Sequence, residues 1–325
     1  MMAAMTTATT AFEPLEPRRL LAASATPTLI GTTLTINGTG HADRIILEIN
    51  PDDPNILNVN LNSKLYTFPF LAIDHAAITS RGGNDIISLS ENFGPLPFNA
   101  TIDAGSGNDG IITASGGDTV RGGAGKDTIT GGDGDDLLDG GAGNDLIFAG
   151  NGTDHLIGGP GNDDLRGEAG NDLIEDKAGK NVMSGGAGDD HLTGGSGKDT
   201  MSGDDGDDTL DAGPGNDTLD GGPGNDYLLG GPGKDTINGG DGDDDIWGGS
   251  ASDIIRGGPG NDDFDKRDAK GEDKDLGPDD VNLNSNPSND QHQQRHAAPL
   301  ALGARSKRGQ SEAPPRIASV SWARH

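Results

Sequence analysis

Seventeen aspartates recur in one half of this 325-residue chain on a nine-residue grid, and that spacing is where chemistry first shows. They are Asp109, Asp118, Asp127, Asp136, Asp145, Asp154, Asp163 and Asp172, then Asp190, Asp199, Asp208, Asp217, Asp226, Asp235, Asp244, Asp253 and Asp262. Only Asn181 breaks the series, and it keeps a carbonyl oxygen in place. Glycine stands two residues before each of these positions, from Gly107 to Gly260, except at Ala251. Carboxylates set in glycine-rich turns, with peptide carbonyls close by, are hard oxygen donors. They suit Ca²⁺, which accepts six to eight oxygens in flexible geometry.

The elements that must position these carboxylates follow from the same grid. Two residues after each comes an apolar side chain, among them Val120, Ile129, Leu138, Ile147, Leu156 and Leu165, and the run continues to Phe264. The full pattern is Gly-Gly-x-Gly-x-Asp-x-apolar-x, seen in Gly122-Gly123-Ala124-Gly125-Lys126-Asp127-Thr128-Ile129-Thr130. Six residues make a turn, because glycine tolerates positive φ and close backbone approach. The remaining triplet makes a short strand with its middle side chain inward. A helix is excluded by two or three glycines in every nine residues. Two turns and two strands close a coil of 18 residues, so residues 18 apart stack. The aspartates then form two columns on opposite edges, one through Asp109, Asp127 and Asp145 and the other through Asp118, Asp136 and Asp154. Nine such coils would extend about 43 Å at a strand spacing of roughly 4.8 Å.

The repeat resembles the nonapeptide of RTX proteins, the hemolysin-type calcium-binding family, over Ala104 to Asp265. The resemblance implies an all-β fold, a parallel β-roll (a β-helix solenoid) of 18 repeats. It also implies that each ion lies between successive stacked turns, held by the aspartate carboxylate and by turn carbonyls. In the best-formed turns those are the carbonyls of Gly123, Gly125, Gly132, Gly134, Gly222, Gly224, Gly231 and Gly233. An ideal array would take Ca²⁺ at about sixteen positions, eight intervals in each column of nine turns. Some turns depart from the pattern. Glu168, Lys177 and Asp204 replace the second glycine, and Asp176 replaces the first beside Lys177, so the turn ending at Asn181 is the weakest candidate.

Composition agrees with this reading. Glycine supplies 56 residues, apolar types 31% and aromatics 3%, which would spell disorder were there no strict repeat. The net charge of −30 repels nucleic acid and anionic membranes. Most of it lies in residues 101–265, with 36 acidic and 8 basic side chains. A core one side chain wide under such charge calls for a bound cation. Cysteine is absent, so disulfides and thiolate metal sites are excluded, and no run of 18 apolar residues offers a transmembrane helix.

The flanks divide into three. Residues 1–27 read as an export-associated segment. Glu13-Pro14-Leu15-Glu16-Pro17-Arg18-Arg19-Leu20-Leu21 resembles the LEPR-x-LL motif of large exported proteins from planctomycete bacteria. Residues 28–103 read as an irregular β-rich cap with strands at Thr33–Ile36, Arg44–Ile49, Ile56–Leu61, Tyr66–Phe68 and Asp85–Leu89, with a separate ligand-binding domain as the competing account. Within that cap, the stretches around Asp43 and Asp85 look like eroded repeats. Residues 266–325 read as a disordered tail that turns basic after Arg295 and differs from the C-terminal secretion signal of many RTX proteins.

No catalytic centre is expected. Gly122–Lys126 and Gly194–Lys198 superficially resemble phosphate loops, but their phase makes them ordinary repeats. There is no zinc-protease His-Glu-x-x-His and no Gly-x-Ser-x-Gly elbow, and His155 and His191 fall two coils apart on the outer surface. The expected function is calcium binding by a secreted or cell-surface structural module, with an unidentified surface or extracellular-matrix partner. The alternative is the accessory domain of a calcium-dependent hydrolase or hemolysin-like toxin.

Overall fold

The computed structural model describes residues 26–264, so the export-motif resemblance and the C-terminal tail lie outside the described residues. The chain winds between two sheets of 13 strands each. Successive coils pair in parallel at a separation of 18 residues: Val120 sits against Leu138 in one sheet and Ile129 against Ile147 in the other. Among the described residues there is no α-helix, only a single 3₁₀ turn at Phe70–Ala72. No helix there is long and apolar enough to cross a membrane.

Strand length exceeds the expected triplet in many coils. Thr119–Ala124 and Thr128–Asp133 run for six residues, because the second and third turn residues also pair with the next coil. Gly123 pairs with Gly141, and Ala124 with Ala142. Glycine is favoured at such places: Gly123 has a φ of 110°, and a methyl there would overlap the Gly105 carbonyl. Of the residues that replace the second glycine, Glu168 and Asp204 keep a positive φ, of 75° and 70°, whereas Lys177 does not. Ala251 does so at the fourth turn position, with φ of 114°.

The core is a single file. From Val120 to Ile246 the inward residue of every repeat is buried, stacked on its counterparts above and below. Toward the N-terminus the file widens. Leu34 and Ile36 are buried together in Thr33–Asn37, as are Ile45, Leu47 and Ile49 in Arg44–Asn50. The two long sheets do not stop at Ala104. Ile36, Ile78 and Ile102 continue the file of Val120, while Ile45 and Ile87 continue that of Ile111. Beyond Arg44–Asn50, the strands Asp53–Leu61 and Lys64–Pro69 add antiparallel to the second sheet. Thr28–Ile30 likewise adds antiparallel to the first. This end of the solenoid therefore finishes in hairpins rather than in an open parallel edge.

A candidate calcium-binding centre along both edges

Each turn delivers its aspartate side chain inward, not to water. From Asp109 to Asp244 every column member is at most 3% exposed, Asn181 included. The two oxygens of each carboxylate have different fates. Oδ1 accepts the backbone amide of the residue one coil earlier: Asp109 donates to Asp127 Oδ1 at 2.8 Å, Asp118 to Asp136 at 2.7 Å, and Asp136 to Asp154 at 2.7 Å. The aspartates thus cap turns, but across coils rather than within their own turn.

Oδ2 is left over. In every column aspartate from Asp109 to Asp244 it is buried and finds no donor among the described residues. It lies beside the first residue of its own turn, in a cradle that a Cβ would fill. A methyl on Gly122 would stand 2.6 Å from Asp127 Oδ2 and 2.7 Å from the Gly140 carbonyl oxygen. At Gly131 the corresponding distances are 2.5 Å to Asp136 Oδ2 and 2.5 Å to the Ala149 carbonyl. At Gly230 they are 2.8 Å to Asp235 Oδ2 and 2.6 Å to the Gly248 carbonyl. A buried carboxylate oxygen beside a carbonyl oxygen is costly to keep charged unless a cation is present. Calcium takes six to eight hard oxygens in flexible geometry, and carboxylate and peptide oxygens of this kind suit it. No three carboxylate or imidazole side chains converge on one point among the described residues, which leaves backbone carbonyls to complete any shell.

Burial sets the electrostatics. Loss of hydration pushes the carboxyls of Asp136, Asp190, Asp226 and Asp244 up to about 7. It pushes those of Asp127, Asp145, Asp154 and Asp199 up to about 6. The backbone amide on Oδ1 opposes this in each case, and neighbouring aspartates of the column reinforce it.

The glycine carbonyls expected as ligands stack in columns of their own. Gly123 O packs on Gly141 and Gly125 O on Gly143, and likewise Gly132 on Gly150 and Gly134 on Gly152. Gly222 packs on Gly240, Gly224 on Gly242 and Gly231 on Gly249. At Gly122 and Gly131 the cradle that holds the free carboxylate oxygen is also bordered by the carbonyl of the first residue of the next coil, Gly140 or Ala149, which the sequence pattern does not single out.

Two further residues join the relay. Asp43 donates its amide to Asp85 Oδ1 at 2.6 Å, and Asp85 to Asp109 Oδ1 at 2.7 Å. The eroded repeats around them are thus true coils of the solenoid, 42 and 24 residues long. At the C-terminal end, Asp253 still accepts the Asp235 amide at 2.9 Å although Ala251 precedes it. His155 and His191 do sit two coils apart, with Leu173 between them, and His155 Nε2 lies 3.3 Å from Glu175 Oε2.

A period of nine hides one contrast that a period of 18 exposes. The fifth turn position carries Asp135, Asp189, Asp207 and Asp243 on the Asp118 edge, but Lys126, Lys180, Lys198 and Lys234 on the Asp127 edge. Both sets extend an outer amide ladder, with Lys126 N on Asn108 Oδ1 at 2.8 Å and Asp207 N on Asp189 Oδ1 at 3.1 Å.

No curated protein matches the chain. The family model of the RTX calcium-binding nonapeptide repeat (4 copies) matches residues 112–147, 139–174, 175–210, 193–228, 202–237 and 229–264. Turn chemistry, coil length, buried carboxylates and this match agree, and the repeat array of this chain belongs to the RTX calcium-binding nonapeptide repeats.

Proposed function

We propose that the chain is an exported, calcium-stiffened module whose ions lie between successive coils along both aspartate columns, at roughly sixteen positions in an ideal array. RTX repeats bind Ca²⁺ through a β-roll, a structural fold. The observation that carries the residue-level reading is the buried Oδ2 facing a carbonyl oxygen of the next coil. Asp109 to Asp262 supply the carboxylates. The first-residue carbonyls, together with the stacked glycine carbonyls of the turns, supply neutral oxygens. In the folded roll Oδ1 stays on the amide one coil back, which holds the carboxylate in one rotamer.

Export is supported by the Leu15–Leu21 resemblance, and RTX repeats are typical of secreted proteins. Calcium at millimolar levels outside the cell would keep such sites filled, whereas cytoplasmic levels would not. The module then acts as a folded rod in the first environment and a repelling polyanion in the second.

Circular dichroism of the full chain in chelator and across a calcium titration tests the proposal. A gain of β structure in millimolar calcium is expected, with Mg²⁺ a poor substitute because it demands tighter octahedral geometry. Identical spectra in chelator and in calcium would sink it.

A further inference from the structure

The turn from Asp176 to Asn181 departs most from the repeat, with Asp176 for the first glycine, Lys177 for the second and Asn181 for the aspartate. Asn181 keeps half of its column's role. Its Oδ1 accepts the Asp163 amide at 3.0 Å, and its own amide donates to Asp199 Oδ1 at 2.8 Å. Its other polar atom is Nδ2, buried and without an acceptor among the described residues. An amide nitrogen is a donor and repels a cation, where the rest of the column presents an acceptor oxygen.

Asp176 stands in the same turn and is 3% exposed. Its Oδ1 accepts the amides of Lys177 at 2.5 Å and Ala178 at 2.9 Å. Its Oδ2 is buried without a donor. That oxygen points one coil back: a methyl on Gly158 would overlap Asp176 Oδ2 and stand 2.9 Å from Asp163 Oδ2. At Gly122, Gly131, Gly203, Gly221 and Gly239 the same cradle is shared by one carboxylate oxygen and one peptide oxygen. Here a second carboxylate oxygen takes the place of the peptide oxygen. None of the ion pairs among the described residues reaches either carboxylate. Two buried carboxylates side by side need a shared cation or a shared proton.

We propose that Asp176 is a calcium ligand, which adds to the site of Asp163 the carboxylate that Asn181 withholds from the next site along the column. Charge along this edge is then conserved but displaced by one coil, so one site is strengthened and its neighbour weakened. The proposal rests on the reading that the columns bind calcium.

Hydrogen exchange with mass spectrometry on the full chain, across a calcium titration, reads the calcium midpoint of each coil separately. Asp176→Asn keeps the acceptor for Lys177 and Ala178 and removes only the charge. It should raise the midpoint of segment 158–181 on the order of tenfold, since calcium affinity follows ligand charge count. Segment 122–145 should hold its own midpoint and serve as the internal reference. Asn181→Asp, with Asp176 in place, should lower the midpoint of 176–199 more than that of 158–171. An Asp176→Asn midpoint that stays with the reference, or falls as relief of repulsion from Asp163 would make it fall, overturns the proposal. Equal shifts of both segments in Asn181→Asp overturn it too. If segment 122–145 of the unmodified chain shows no calcium dependence, the calcium reading of the columns fails first and this assignment with it.

Discussion

Asp136→Asn and Asp139→Asn each remove one negative charge three residues apart, yet they should differ sharply in calcium. Asp136 is 3% exposed, accepts the Asp118 amide on Oδ1 at 2.7 Å, and leaves Oδ2 facing the Ala149 carbonyl. Asp139 lies on the outer face of its sheet and meets Arg121 Nε at 3.3 Å, an exposed partner. An ion present at a hundredfold its Kd stabilises the fold by about 2.7 kcal/mol, and a tenfold weaker site retains about 1.4 kcal/mol. Asp136→Asn should therefore lose about 1.3 kcal/mol for one ion, and roughly twice that if the carboxylate serves ions above and below. Losing the Arg121 pair should matter by only a few tenths of a kcal/mol. Asp136→Ala strands the buried Asp118 amide as well, and should lose about 1–3 kcal/mol beyond the Asn variant. Urea unfolding in saturating calcium, with the calcium midpoint measured in parallel, separates the three. Equal losses for Asp136→Asn and Asp139→Asn would show that charge density, not the buried ligand register, governs binding.

In chelator, acidification should favour the roll. The buried aspartates titrate at about 6 to 7 when folded, against an ordinary value below 4. Their contribution to stability is fully present below about pH 4 and is lost as pH rises through 6 to 7. Circular dichroism between pH 8 and 5 should show β content rising without calcium, and a fall would contradict the burial argument. In subsaturating calcium the same acidification should raise the calcium midpoint, because proton and cation compete for Oδ2. Ala251→Gly relieves a φ of 114° and should stabilise the calcium-loaded roll by about 1–3 kcal/mol in urea unfolding; a loss would mean that the Ala methyl packs usefully. Fractionation of the native host should place the chain outside the cytoplasm, and recovery solely from the cytoplasm would refute the export reading.

The repeat, its phase and the coil are all written in local residue order. One inward side chain in nine residues, flanked by a glycine-rich turn, allows few other solutions, so Val120 through Ile246 were legible as a core before any coordinates. The strands at Arg44–Asn50 and Ile86–Ser90 were legible as well, from alternation of apolar residues. The rest depends on contacts between coils, which no local pattern encodes. The spacings from Asp43 to Asp85 and from Asp85 to Asp109 follow no single period, so only stacking shows that these residues join the relay. The split fate of the carboxylate oxygens is likewise a contact across 18 residues, as is the carbonyl of the next coil's first residue facing Oδ2. The lysines of one edge and the acids of the other separate only once alternate turns are known to lie on opposite sides. Asp176 shows the limit most clearly. Read along the chain it is an error in a glycine position, and only the packing of its coil against Gly158 turns that error into a second carboxylate beside Asp163.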